Sequence, residues 1–255
     1  MARLWIGISG WSYGNWRGSF YPSLLPSRRY LEFYAQHFPT TELNSSFYHA
    51  PRSQTYQHWA EQVPHDFIFA VKAHRQLTHS QQLQVQEAEE TWRRVIEPAR
   101  SLASHLGPIL FQFPPSLRLD AQRLADLLQL THNSAADVRV VCEFRHASWF
   151  TDEVYRLLRR HGAALCLADS PRYPRHDVLT TDFLYYRLHG RPVLFASNYS
   201  EVALLQEAQV ITHHLREGLD VYVYFNNTVR GHAVENARML LALVEGATTP
   251  LIDNR

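Results

Sequence analysis

The side chains of this 255-residue sequence that could do chemistry gather at the ends of short apolar runs. Glu42-Leu43-Asn44 closes one run, Lys72 another, Gln112 a third and Glu143-Phe144-Arg145 a fourth. Asp169, Arg187-Leu188-His189 and Asn226-Asn227 close three more, and Ser9-Gly10-Trp11 follows the first. Along a strand, side chains two positions apart share a face. Glu42 therefore goes with Asn44, Glu143 with Arg145, and Arg187 with His189. Burying so many charges unpaired would be costly, so they point to a site rather than a packing surface.

Each residue type suggests a role. Nearby cations favour the ionised form of Glu143, which suits a base, a metal ligand or an arginine anchor. His189 is the expected proton donor near neutral pH, and Glu42 or Asp169 could serve as acid if desolvated. Lys72 completes the expected catalytic set, as a point charge or as a Schiff-base amine. Arg145 and Arg187 offer bidentate contacts to phosphate or carboxylate. Asn44, Gln112, Asn226 and Asn227 can read hydroxyls, and Trp11 and Tyr13, with Trp16, Phe47, Tyr48 and Trp149, could wall the site. Lys72 is the only lysine among 25 Lys plus Arg; the other 24 are arginine.

Two other chemistries use subsets of these residues. A glycosidase would employ Glu42 and Glu143 across the mouth, although the cations suit it poorly. A divalent metal could sit on Glu42, Glu143, Asp169 and His189, but Lys72, Arg145 and Arg187 would compete for the same carboxylates. No cofactor is therefore expected.

The positioning elements follow from periodicity. Eight apolar runs occupy residues 4–9, 41–44, 67–72, 109–113, 138–144, 163–168, 183–189 and 221–225. Most lack strict alternation, as strands covered on both faces do. Helix-period segments separate them, at 28–38, 55–62, 83–105, 121–130, 152–161, 200–217 and 233–245. Thr151 is a good N-cap for the fifth of these, and Pro98 should kink or divide the third. Residues 170–182 hold Pro171 and Pro174 and no apolar stripe, which predicts a loop. Eight β-α units in about 250 residues predict one α/β domain over 1–255, a (β/α)8 TIM-type barrel. Its functional face is the C-terminal end of the strands, where the polar residues lie.

Composition bounds the function. The chain is 45% hydrophobic with a formal charge of +1, so a wholly cationic nucleic-acid binder is excluded. There is no signal-peptide pattern and no run long enough to span a bilayer, which predicts a cytoplasmic protein. Cys142 and Cys166 are expected as free buried thiols, both facing the helix layer.

The motifs Gly7-Ile8-Ser9-Gly10-Trp11-Ser12-Tyr13, Glu42-Leu43-Asn44-Ser45-Ser46-Phe47-Tyr48 and Lys72 with Thr78-His79 resemble the opening blocks of the YecE-like family. Phe111-Gln112-Phe113-Pro114-Pro115, Glu143-Phe144-Arg145-His146, Arg187-Leu188-His189-Gly190 and Tyr222-Val223-Tyr224-Phe225-Asn226-Asn227 continue the match in order. The resemblance implies a TIM-type barrel of no established reaction. It also implies Asp after the two asparagines, where this chain has Thr228.

Together these readings predict a hydrolase or lyase acting on a small anionic, phosphorylated or carboxylated, sugar-like substrate. The alternatives are a nucleic-acid-binding or phosphodiester-cleaving barrel like the barrel endonucleases, and a non-catalytic binding module.

Overall fold

A computed structural model describes residues 2–80 and 85–248. It shows a closed barrel of eight parallel strands in sequential order. The strands are β1 (Leu4–Ile8), β2 (Thr40–Leu43), β3 (Ile68–Lys72), β4 (Leu106–Gln112), β5 (Val140–Glu143), β6 (Ala163–Asp169), β7 (Phe183–Leu188) and β8 (Asp220–Phe225). Around them lie α1 (Tyr30–Ala35), α2 (Ser53–Ala60), α3 (Arg75–His79), α4 (Val85–Ala99), α5 (Ala121–Ala135), α6 (Asp152–Arg160), α7 (Glu201–Arg216) and α8 (His232–Thr248). No helix forms at 170–182, between β6 and β7, as the two prolines foretell.

Local rules account for the helix limits. Thr151 Oγ1 accepts from Val154 N, Asp120 from Arg123 N and Ser200 from Ala203 N, each satisfying an orphan donor of the first turn. Pro98 sits in the last turn of α4, and the chain continues as a 3-10 segment over Arg100–His105. Residues 83 and 84, in the expected start of that helix, lie outside the described residues. The first helix is shorter than its apolar pattern, because a 3-10 turn over Ser27–Arg29 precedes it.

Two apolar cores result. One lies between barrel and helices and includes Ile8, Phe69, Phe111, Leu165 and Val223. The other fills the barrel with Trp5, Ala70, Leu110, Val141, Ala164, Phe183, Tyr185, Tyr222 and Tyr224. The Trp5 ring stacks on Tyr222 at 4.5 Å near the strands' N-terminal ends. Gly7 permits β1 to approach β2, since a Cβ there would stand 2.0 Å from Thr40 O.

Cys142 and Cys166 are both free and buried, but they do not share a layer. Cys142 belongs to the outer core, whereas Cys166 faces the barrel interior between Ala164 and Ala168. The wall of the barrel separates them.

Candidate active site

The barrel mouth is organised by two buried carboxylates. Glu42 Oε1 accepts from Ser9 Oγ at 2.9 Å, Asn44 Nδ2 at 3.2 Å and Arg187 Nη2 at 2.7 Å. Its Oε2 accepts from Tyr185 OH at 2.7 Å and Arg187 Nε at 3.0 Å. Glu143 Oε1 accepts from Arg145 Nε at 2.6 Å, and its Oε2 accepts from Arg187 Nη1. Arg187 thus forks onto one carboxylate and bridges to the other. Burial alone would raise both carboxyls. The Arg187 charge outweighs it at Glu42, and Arg145 with Arg187 outweighs it at Glu143, so both are held below the usual carboxylate range.

Lys72 is the charge left over. Its Nζ donates to Gln112 Oε1 at 2.9 Å and lies 3.8 Å from the centre of the Phe47 ring. Glu42 and Glu143 are committed to arginines, and Lys72 forms no ion pair among the described residues. Burial and the Arg187 charge push its amine down to about 7, against the pull of Glu143.

His189 is also fully buried. Its Nδ1 accepts from Asn226 Nδ2 at 3.1 Å, which assigns the proton to Nε2, 3.7 Å from Glu143 Oε1. Burial lowers its pKa despite Glu143, so the ring is neutral at neutral pH. The expected imidazolium donor is thus disfavoured by desolvation.

Above this floor opens a pocket of about 420 Å³. Lys72, Arg145, Arg187, Gln112, Asn44 and Asn226 line it with Tyr13, Phe47 and Tyr48. The strand-end residues therefore converge, with Glu42, Glu143 and His189 forming the layer that holds Arg187 and Arg145. Cavities of about 430 and 350 Å³ lie at the other end of the barrel, around Arg139 and Tyr222 and around His132 and His161. No buried charged side chain lines either of them.

Five expected site residues are not brought to the mouth. Gly10, at φ +94°, turns the chain outward, and Trp11 packs edge-on against Trp59 and Phe69. Asp169 has the outward parity of Leu165 and Leu167; it accepts from Tyr199 OH at 2.6 Å and pairs with Arg191 Nε at 2.6 Å. Asn227 donates to Ser197 O at 2.9 Å and Asn236 Oδ1 at 2.8 Å, which fastens the β7–α7 loop. Trp16 and Trp149 are packed within the loop cores, Trp149 donating to Leu117 O at 2.8 Å.

Two pocket residues lie outside the expected set, His79 and Phe195. Burial, aided by Lys72, pushes the His79 imidazole down to about 4. Phe195 holds φ at +64°, its N–H donates to His189 O at 2.6 Å, and its ring meets the His189 ring edge-on at 5.5 Å. Nothing in its flanking sequence marks it, whereas His79 stands in a quoted motif beside Lys72.

Among the described residues no group of three or more His, Cys, Asp and Glu side chains is placed to hold a metal ion. Glu42, Glu143 and Asp169, the carboxylates expected to serve a divalent cation, pair with arginines instead.

Fold and mouth together define a (β/α)8 barrel with an ion-paired floor and, above it, a lysine with no ion pair among the described residues. The chain belongs to the family described as protein of unknown function DUF72, which matches residues 5–254. It is 28% identical to UPF0759 protein YunF of Bacillus subtilis over 95% of each chain. It is 24% identical to UPF0759 protein YecE of Escherichia coli over 69% of this chain and 70% of that one. The crystal structure of a DUF72 family protein from Thermotoga maritima superposes with a TM-score of 0.76 at 28% identity, over 95% of this chain and 99% of that one. Thr228, at the position where the resemblance implies Asp, is buried beside Tyr13. Among the described residues no helix is long and apolar enough to cross a membrane.

Proposed function

We propose that the mouth is the active site of a hydrolase or lyase that takes a small anionic, hydroxyl-bearing molecule. One observation carries this reading. Lys72 is nearly fully buried in the pocket, and both nearby carboxylates are already neutralised by arginines. The five charges leave one positive charge over, and an unpaired buried cation is costly unless a ligand supplies the anion. Arg145 adds a second donor: its Nε is used by Glu143, and its terminal nitrogens donate no hydrogen bond among the described residues. Asn44 and Asn226 stand at the wall for hydroxyls. The volume suits a sugar-phosphate-sized molecule.

A thermal-shift screen of phosphates and small carboxylates tests this. A ligand at a hundred times its Kd should stabilise the wild type by about 2.7 kcal/mol. Lys72→Met and Arg145→Gln should lose most of that response while staying folded. Equal responses in wild type and both variants would refute the reading. Stabilisation by a single-stranded oligonucleotide alone would favour the nucleic-acid alternative.

A further inference from the structure

We infer that Lys72 is a Schiff-base nucleophile for a small carbonyl compound that also carries a carboxylate or phosphate. The inference rests on the anion-binding reading above and narrows it to carbonyl chemistry.

The geometry supplies three parts. The first is the amine, buried at the end of β3 and opening on the pocket without a carboxylate partner among the described residues. The second is Gln112, whose Oε1 accepts from Lys72 Nζ while its own Nε2 is buried and has no partner among the described residues. Such an orphan is expensive unless something meets it. It lies beside the nucleophile, where the oxygen of an attacked carbonyl gains negative charge, and a fixed N–H there stabilises that charge. The third is Arg145, whose terminal nitrogens are available to the anionic group. The charged and titratable groups around the amine are Glu42 from β2, Glu143 from β5, Arg145 just beyond it, Arg187 from β7 and His79 from α3. Their balance with burial sets the amine near 7, so a neutral fraction exists at neutral pH.

The reaction balances without a further reagent. The Nζ lone pair forms a bond to the carbonyl carbon, and the carbonyl π pair moves onto oxygen. A proton passes from nitrogen to that oxygen, giving the carbinolamine. A second proton, taken from solvent, on the same oxygen lets it leave as water while the nitrogen lone pair closes the C=N bond. Amine plus carbonyl plus one proton becomes a cationic imine plus water. The cationic imine then draws electrons from a neighbouring bond, as lyase chemistry requires.

The single lysine makes the test unusually clean, because Lys72 and the N-terminus are the only aliphatic amines of the chain. The protein is incubated with glyoxylate, pyruvate or dihydroxyacetone phosphate and sodium cyanoborohydride, then mapped by peptide mass. The expected product is a Lys72 peptide heavier by the probe less one oxygen atom. It should form roughly tenfold faster than the N-terminal adduct, saturate with probe and slow when lactate competes. Arg145→Gln should raise the half-saturating probe concentration. Labelling of Lys72 no faster than the N-terminus, with anions still raising Tm, would overturn this inference and leave the proposed function intact. Neither labelling nor a thermal shift would remove both. Equally fast labelling of Lys72 by acetone would overturn the assigned substrate class.

Discussion

Lys72 strains the molecule that carries it. Four of the five mouth charges close in pairs: Glu42 with Arg187, and Glu143 with Arg145 and Arg187. The ammonium adds desolvation to an already balanced set. Lys72→Met should therefore raise stability at neutral pH by about 1 kcal/mol or more, read as the urea midpoint. The folded pKa near 7 lies below the ordinary 10.5, so between these values the unfolded chain holds a proton the folded one lacks. Wild-type stability then rises with pH across that window. The advantage of the methionine should be largest below pH 7 and should shrink towards pH 10.5. A methionine variant less stable than wild type at every pH would contradict this account. Glu42 gives the opposite case. Glu42→Gln leaves Arg187 with only the Glu143 charge that it shares with Arg145 and should lower stability by about 3–5 kcal/mol, whether or not ligand is present.

At the scale of elements, the β7–α7 loop sets the height of the pocket wall. Gly190 turns it at φ +89°, where a Cβ would stand 3.1 Å from Ser197 O and 3.2 Å from Asn227 Cβ. Gly190→Ala should cost about 1–2 kcal/mol through backbone conformation alone, seen as a lower Tm. It should also weaken the thermal response to anions, because the turn places Phe195 against His189. The strands around this loop were legible in sequence because each is buried on both faces and turns polar at one end. That contrast survives any error in strand limits, so Glu42, Lys72, Gln112, Arg145, Arg187 and Asn226 could be found at the mouth. Position at a strand end does not by itself fix where a side chain points, and the outward parity expected for Cys166 is off by one. Trp11 lies beyond a left-handed glycine, Asp169 and Asn227 carry the outward phase, and Cys166 proves to face inward. Phe195 was illegible because a long loop fixes it, with no periodicity to place it.

The whole molecule should lose stability to acid in two stages, because two kinds of buried group titrate differently. His79 and His189 are held neutral by burial, with folded pKa values below the ordinary 6.5. Below 6.5 the unfolded chain gains protons that the folded chain refuses, so stability falls first between pH 6.5 and about 4. Glu42 and Glu143 act in the same direction but lower down. Their folded pKa values lie below 4.5, so their stabilisation is complete above that value and drains as pH falls through the folded ones. The chain carries 25 Lys plus Arg and 15 His, so growing positive repulsion steepens this second stage. Urea titrations at steps from pH 7 downward should therefore show an early decline that His189→Gln or His79→Gln flattens. A later, steeper decline should follow, and Glu42→Gln should make it shallower by removing one of the two carboxylates. A wild type whose urea midpoint stays level until pH 4.5 would show that the buried imidazoles do not carry the first stage.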